Sequence, residues 1–257
     1  MLFVFSATGN SYDVAKRISD ALDMKMVDTV KAVRHENYTF DAKGEDSIFV
    51  FPVYYATLPS IVRRFAANLR IIHPGKVRCV ITCAGDSGVA GEALQKELGN
   101  VRVDSMFDVC MPDNAVFYEE PPDKEECTRI LDAAHREVEE VIAHLRSGDV
   151  GDFRRYRSEH DVDGCNSLYD ESRVTEPFHT NDACIECRVC EDVCPEQVIR
   201  VYHRKPVWDE EKCSMCMACL NICPKNAIEF GENTEGRRRY VNPVFKDRHI
   251  GIYPDYI

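Results

Sequence analysis

Two short stretches constrain this chain more than anything else in it. Cys184–Pro195 reads CIECRVCEDVCP and Cys213–Pro224 reads CSMCMACLNICP, each the pattern C-x2-C-x2-C-x3-C-P. Three thiolates at three-residue spacing curl round one cubane and place a sulfur on each of three irons, while the fourth cysteine, followed by proline, points away to the other cluster. The spacing therefore assigns Cys184, Cys187, Cys190 and Cys223 to one 4Fe–4S cluster, and Cys213, Cys216, Cys219 and Cys194 to a second. Trading fourth ligands fastens the two halves together, so folding of this end is expected to depend on the inorganic cores. Zinc is the competing ion, but its four-cysteine sites use two separated C-x2-C knuckles, not a run of three with a cysteine–proline end.

The repeat extends past the cysteines. Ile199 and Val201 match Ile228 and Phe230 at the same offset, which implies two half-domains related by pseudo-two-fold symmetry. Thirteen cysteines would suit a secreted disulfide scaffold in a short chain with an export signal. Here MLFVFSATGN lacks a charged leader and a long apolar stretch, and reads instead as a buried strand. No apolar run approaches the roughly 18 residues of a spanning helix. The net charge is −12 and both halves are acidic, so nucleic acid and anionic membrane are poor partners. A cytoplasmic setting is expected. The basic run Arg237–Arg239 reads as a solvated patch.

From Met1 to about Leu145, apolar runs alternate with helical patterns. Strands are expected at Met1–Phe5, Lys25–Val27, Ser47–Phe51, Val77–Thr82 and Val101–Met111. Helices are expected at SYDVAKRISDAL, after Pro59, near Glu92–Leu98 and over Lys124–Leu145, the last closed by Ser147-Gly148. Strands alternating with helices imply a parallel sheet covered on both faces, and five of them suit the doubly wound order 2-1-3-4-5. The reading divides the chain into a domain at 1–148, a connector at 149–181 packed on that domain, a cluster domain at 182–231, and a tail at 232–257 packing on both.

FSATGNS follows the first strand and opens the first helix. Ser6, Thr8, Asn10 and Ser11 supply hydroxyl and amide groups, Gly9 permits a tight backbone, and the helix N-terminus adds unpaired N–H groups. This is a nest for a phosphate monoester; the alternative is a plain helix cap. The Gly-Lys-Ser/Thr ending of a Walker loop and the G-x-G-x-x-G of a dinucleotide site are both absent. Two further loops, PVYYATLP (Pro52–Pro59) and TCAGDSGVAGE (Thr82–Glu92), leave the same sheet edge, where ligands of open α/β sheets bind.

On these motifs, residues 1–145 resemble a flavodoxin, and residues Asp182–Gly231 resemble the bacterial two-cluster ferredoxin. The flavodoxin resemblance implies bound FMN. Carried over by position, Ser6, Thr8, Gly9, Asn10 and Ser11 would hold its phosphate. Pro52, Val53, Tyr54, Tyr55, Ala56 and Thr57 would flank its isoalloxazine, and Ala84 and Gly85 would offer backbone to its polar edge. The third loop departs from flavodoxins in lacking an aromatic stacker, and Arg188 and Met217 fill a slot where ferredoxins often place a small residue. With KPVWDEEKCSMCMACLNICPKNAIEFG and T-x-G-R-x-R-Y (Thr234–Tyr240), nearly the whole chain resembles the flavodoxin–ferredoxin fusion proteins of anaerobic bacteria and archaea.

The expected fold class is thus α/β, a flavodoxin-like doubly wound five-stranded sheet followed by a small α+β bacterial ferredoxin-like domain. The expected function is an electron-transfer iron–sulfur flavoprotein passing electrons between two 4Fe–4S clusters and FMN. A redox protein or a small-molecule acceptor is the partner. The alternative is a two-cluster ferredoxin whose flavodoxin-like half has lost FMN and serves for docking. No nucleophile–base set or paired histidine motif is found; Cys79, Cys83 and Cys110 read as buried apolar residues, and Trp208 as a cover for the cubanes.

Overall fold

A computed structural model describes residues 1–203 and 205–246. In chain order the first part contains β1 (Leu2–Val4), α1 (Asn10–Leu22), β2 (Met26–Asp28), α2 (Thr29–Arg34), β3 (Thr39–Asp41) and β4 (Ser47–Pro52). It continues with α3 (Ser60–Asn68), β5 (Arg70–Ile72), β6 (Val77–Cys83), α4 (Ala90–Leu98), β7 (Val103–Cys110) and α5 (Lys124–Ser147). The central strands are apolar without alternation because both their faces are covered; every residue of β6 is buried, including Arg78. On one face Phe3, Phe49 and Ile81 pack with Val30 of α2, Ile61 and Phe65 of α3 and Leu94 of α4. On the other, Leu2, Ile48 and Val80 pack with Val14 and Ile18 of α1 and Val138 and Ile142 of α5. The sheet is doubly wound, as the sequence implies.

Its order is β2-β1-β4-β6-β7, with all pairs parallel, followed by an unexpected sixth strand, β8 (Gly151–Asp152). The first five strands reproduce the order 2-1-3-4-5 once β3 and β5, which pair with each other, are set aside. β8 carries no apolar pattern. It is held by its backbone against Ser105 and Met106, and by Phe153 just beyond it, which stacks on Phe107 at 5.2 Å.

The second part contains α6 (Val162–Ser172), β9 (Phe178–Thr180), α7 (Val189–Asp192), β10 (Ile199–Tyr202), β11 (Lys205–Trp208), α8 (Ala218–Ile222), β12 (Ile228–Phe230) and α9 (Pro243–Lys246). β10 pairs antiparallel with β11, and β12 with β9. The duplicated Ile199 and Ile228 both lie at the start of their strands and are 1% and 2% exposed. The segment 149–181 is more than a connector: β8 joins the central sheet, α6 lies against α3, and β9 belongs to the second unit.

Of the run Arg237–Arg239, expected as a solvated patch, Arg238 is exposed but its two neighbours turn inward. The Arg239 side chain is buried and pairs with Glu229 at 2.6 Å, and Arg237 donates to the Val116 carbonyl at 2.7 Å. Positive charge here is drawn inward by buried acceptors. Of the expected tail 232–257, only 232–246 falls within the described residues. Asn242 N–H donates to the Thr8 carbonyl at 2.8 Å, and Tyr12 and Phe245 rings lie 5.4 Å apart. Among the described residues no helix is long and apolar enough to cross a membrane.

Candidate functional site

The loops that follow β1, β4, β6 and β7 line one cavity of about 490 Å³ at the carboxyl edge of the sheet, within the usual range of about 300–1,000 Å³ for small-molecule sites. Ser6, Thr8, Asn10 and Ser11 line it, together with Pro52 through Ala56 and Ala84–Gly85. The hydroxyls of the first loop are buried and ordered. Ser6 Oγ accepts from Gly9 N–H at 3.2 Å, Thr8 Oγ1 accepts from Asn114 Nδ2 at 2.7 Å, and Ser11 Oγ shares a hydrogen bond with Thr82 Oγ1 at 2.7 Å. Because Ser6 and Thr8 accept these bonds, their own hydroxyl hydrogens remain for an anion. The thirteen-residue helix α1 starts here and adds the positive end of its dipole.

Two residues expected in the site lie beside it. Gly9, at φ +103°, turns its missing side chain outward: a Cβ there would stand 2.8 Å from Asn242 Cβ. Its freedom serves the loop and the tail together. Thr57 is fully buried and donates to Asn166 Oδ1 at 2.7 Å, anchoring α6. Asn10 lines the cavity, but its Oδ1 accepts from Tyr240 O–H at 2.8 Å and its Nδ2 donates to the Pro112 carbonyl at 2.9 Å. It joins the loop to the tail and to the segment after β7.

Tyr54–Thr57 forms a tight turn with reciprocal backbone bonds of 3.0 and 2.9 Å, and Tyr55 and Ala56 are both left-handed at φ +50° and +59°. Non-glycine residues adopt that pair of angles at a cost, and such strain concentrates at functional sites. Gly88 holds the turn from behind: Val89 N–H donates to the Ala56 carbonyl, and a Cβ on Gly88 would lie 2.2 Å from that oxygen. Tyr55 stacks on Phe117 at 6.1 Å and on Tyr169 at 5.6 Å.

Sequence reasoning missed the remaining walls. Met111–Ala115, Phe117 and Tyr118 come from the loop after β7, and Met215 and Met217 come from the second cysteine loop. The loop after β7 carries no motif, since it contributes packing and amide bonds. Only the unusual Met217, noted against the small residue of ferredoxins, hinted that the cysteine loop faces something.

The eight cysteines fall into two groups in space. Cys184, Cys187, Cys190 and Cys223 ring one apolar hollow; Cys194, Cys213, Cys216 and Cys219 ring another. Each hollow thus draws three thiols from one repeat and the fourth from the other. Among the described residues no three such side chains close tightly enough to hold a single metal ion; the thiols surround a space. Backbone N–H groups already point at sulfur: Met215 at Cys213 Sγ and Ala227 at Cys223 Sγ, both at 3.2 Å. Burial pushes the Cys190 and Cys213 thiols up to about 12 and holds Cys216 and Cys219 well above the ordinary thiol range. Such thiols ionise only when a cation replaces the proton. A multinuclear iron–sulfur core suits a ring of four thiols in an apolar shell. Trp208 lines the second hollow, stacked on Phe178 at 5.1 Å. Cys79 and Cys83 are buried and Cys110 half-buried; burial raises all three thiols.

The second hollow is clamped to the first domain. Glu196, two residues after Cys194, accepts from Ser60 Oγ and Ser214 Oγ at 2.6 Å each and pairs with Arg64. Burial alone would raise its carboxyl, but those hydroxyls with Arg64 and Arg173 hold it below the ordinary range. Tyr169, fully buried, donates to the Ser214 carbonyl at 2.8 Å and accepts from Ser60 N–H at 3.2 Å.

A family model described as a 4Fe-4S dicluster domain matches residues 171–228. No curated protein matches the chain. The match covers both cysteine repeats and β9 through the start of β12, so the second unit is a small ferredoxin-like domain of antiparallel strands, suited to iron–sulfur electron transfer.

Proposed function

We propose that this chain is an iron–sulfur flavoprotein that passes electrons between two 4Fe–4S clusters, held by the two cysteine quartets, and FMN in the cavity at the carboxyl edge of the sheet. One observation carries the reading: the second cysteine loop supplies Met215 and Met217 to the wall of that cavity. A loop that serves only its own cluster has no reason to form part of a cofactor-sized site on another domain.

When bound, the clusters carry single electrons and the flavin exchanges one or two, so a chain with both joins one-electron to two-electron chemistry. The protein's part is placement. Ser6, Thr8 and Ser11 with the start of α1 would hold the phosphate, without a lysine. The strained Tyr54–Thr57 turn would set the ring's position against Ala84–Gly85, and the loop after β7 would cover it. Glu196, Ser60, Ser214 and Tyr169 keep the second quartet against this cavity, and the first quartet, with Cys187 exposed, lies nearer to solvent, where a redox partner would reach it.

Anaerobic purification tests the reading. Acid treatment should release FMN equimolar with the chain, along with iron and sulfide for two clusters. Thr8→Ala should weaken FMN binding and leave iron content intact. Gly9→Val should do the same more severely, because valine at that φ and against Asn242 costs on the order of 1–3 kcal/mol in backbone strain alone. A preparation that holds full iron and ignores added FMN would instead establish a ferredoxin whose first domain only docks.

A further inference from the structure

The two cysteine loops share a backbone and differ in surroundings. Glu186 and Arg188 in the first loop have φ +61° and +63°; Met215 and Met217 occupy the same slots in the second at +52° and +55°. Left-handed backbone is uncommon for residues with side chains, so four matched angles mark one loop conformation used twice. In the first loop both residues are exposed, and Arg188 pairs with Glu191 at 2.7 Å. In the second, Met215 and Met217 are 4% and 2% exposed. Met217 lines two spaces at once, the 490 Å³ cavity and the hollow of the second quartet. Its carbonyl accepts from Asn221 N–H at 2.9 Å and Asn221 Nδ2 at 3.0 Å, and that same Nδ2 reaches the Asn114 carbonyl at 3.0 Å. The residue is thereby tied to the loop after β7.

We propose that Met217 is a positioning residue that forms the common wall of the two cofactor sites, closing the second cluster against the flavin cavity and setting the polarity that both feel. The proposal rests on the flavin reading above. The chemistry suits the place. A thioether fills irregular gaps and donates no hydrogen bond. Cluster potentials respond to hydrogen bonds at sulfur and to solvent exposure, so an apolar wall keeps the second cluster free of both on this side. Arg188 shows that the same backbone slot tolerates a charged residue where it faces water.

The test uses the full chain, purified anaerobically with its clusters, in four variants: Met217→Gln, Met217→Ala, Met217→Leu and Arg188→Gln. Cluster potentials are read by redox titration followed by electron paramagnetic resonance, and FMN affinity by quenching of its own fluorescence. Met217→Gln brings an amide to the wall and Met217→Ala admits water. Both are expected to shift one cluster's midpoint upward and to weaken FMN binding severalfold. Met217→Leu, of similar size and polarity, should match the unsubstituted chain in both readouts, and Arg188→Gln should leave FMN affinity and the second cluster unchanged. A cluster shift without a change in FMN affinity, a shift shared equally by both clusters, or a leucine variant as altered as the glutamine one would overturn the common wall. Failure of the flavin reading has its own sign: an unsubstituted chain that takes up no FMN, which overturns the wall along with it.

Discussion

Replacing Glu196 by alanine should loosen one cluster and spare the other. Its carboxylate accepts two hydroxyl bonds of 2.6 Å, from Ser60 on α3 and from Ser214 between Cys213 and Cys216. A hydrogen bond to a charged group contributes about 1.5–3 kcal/mol. The two serines also lie 2.9 Å from each other, so the truncation does not orphan them and the loss falls short of the full sum, at about 2–4 kcal/mol. Arg64 adds little, since its side chain is 47% exposed and solvent screens the pair. At about 1.36 kcal/mol per decade, local opening of the second loop becomes up to about 30- to 900-fold more frequent. The assay is cluster bleaching in moderate urea under anaerobic conditions, with paramagnetic resonance to tell the clusters apart. The cluster of Cys213, Cys216, Cys219 and Cys194 should go first, and Ser214→Ala should cost less when added to Glu196→Ala than in the unsubstituted chain, because the two residues share one bond. Bleaching at the unsubstituted rate, or loss of both clusters in step, would refute the clamp.

Gly88→Ala drives a methyl group into the Ala56 carbonyl at a left-handed angle; overpacking of this kind costs about 1–3 kcal/mol, so thermal stability and FMN affinity should fall together while iron content holds. Cys194→Ser should lose the iron of one cluster and Cys165→Ser none, read by iron and sulfide analysis. Burial would raise the Glu92 and Asp152 carboxyls, but hydrogen bonds from Arg154 outweigh it and both sit below the ordinary range. Their stabilisation is therefore present above the unfolded values, about pH 4–4.5, and is lost as pH falls through the lower folded ones; Arg154→Leu should flatten the acid limb of a circular-dichroism titration.

The parts of this molecule legible in its sequence are those where burial writes a pattern. SIFVF and VRCVITC are covered on both faces and could be little but central strands. The cysteine spacing shows which thiols meet, because ligand geometry fixes it. β8 is illegible for the opposite reason: Gly151–Asp152 is held by backbone bonds that any residues could make. Gly9 reads in the sequence as a ligand position, yet its flexibility also admits Asn242, more than two hundred residues away. The loop 111–118 could not be found, since its members act through Asn114 and aromatic packing that only the folded chain assembles.

Strands β8 and β9 bracket α6, and the first belongs to the large sheet while the second completes the small domain. A cut anywhere between them takes the intervening helix, with its Arg63–Asp170 and Thr57–Asn166 links, from one side or the other. Modules joined in this way do not shuffle freely. Recombination that separated them would leave each fragment with an exposed seam, so the two halves should be inherited together and drift in sequence as one unit.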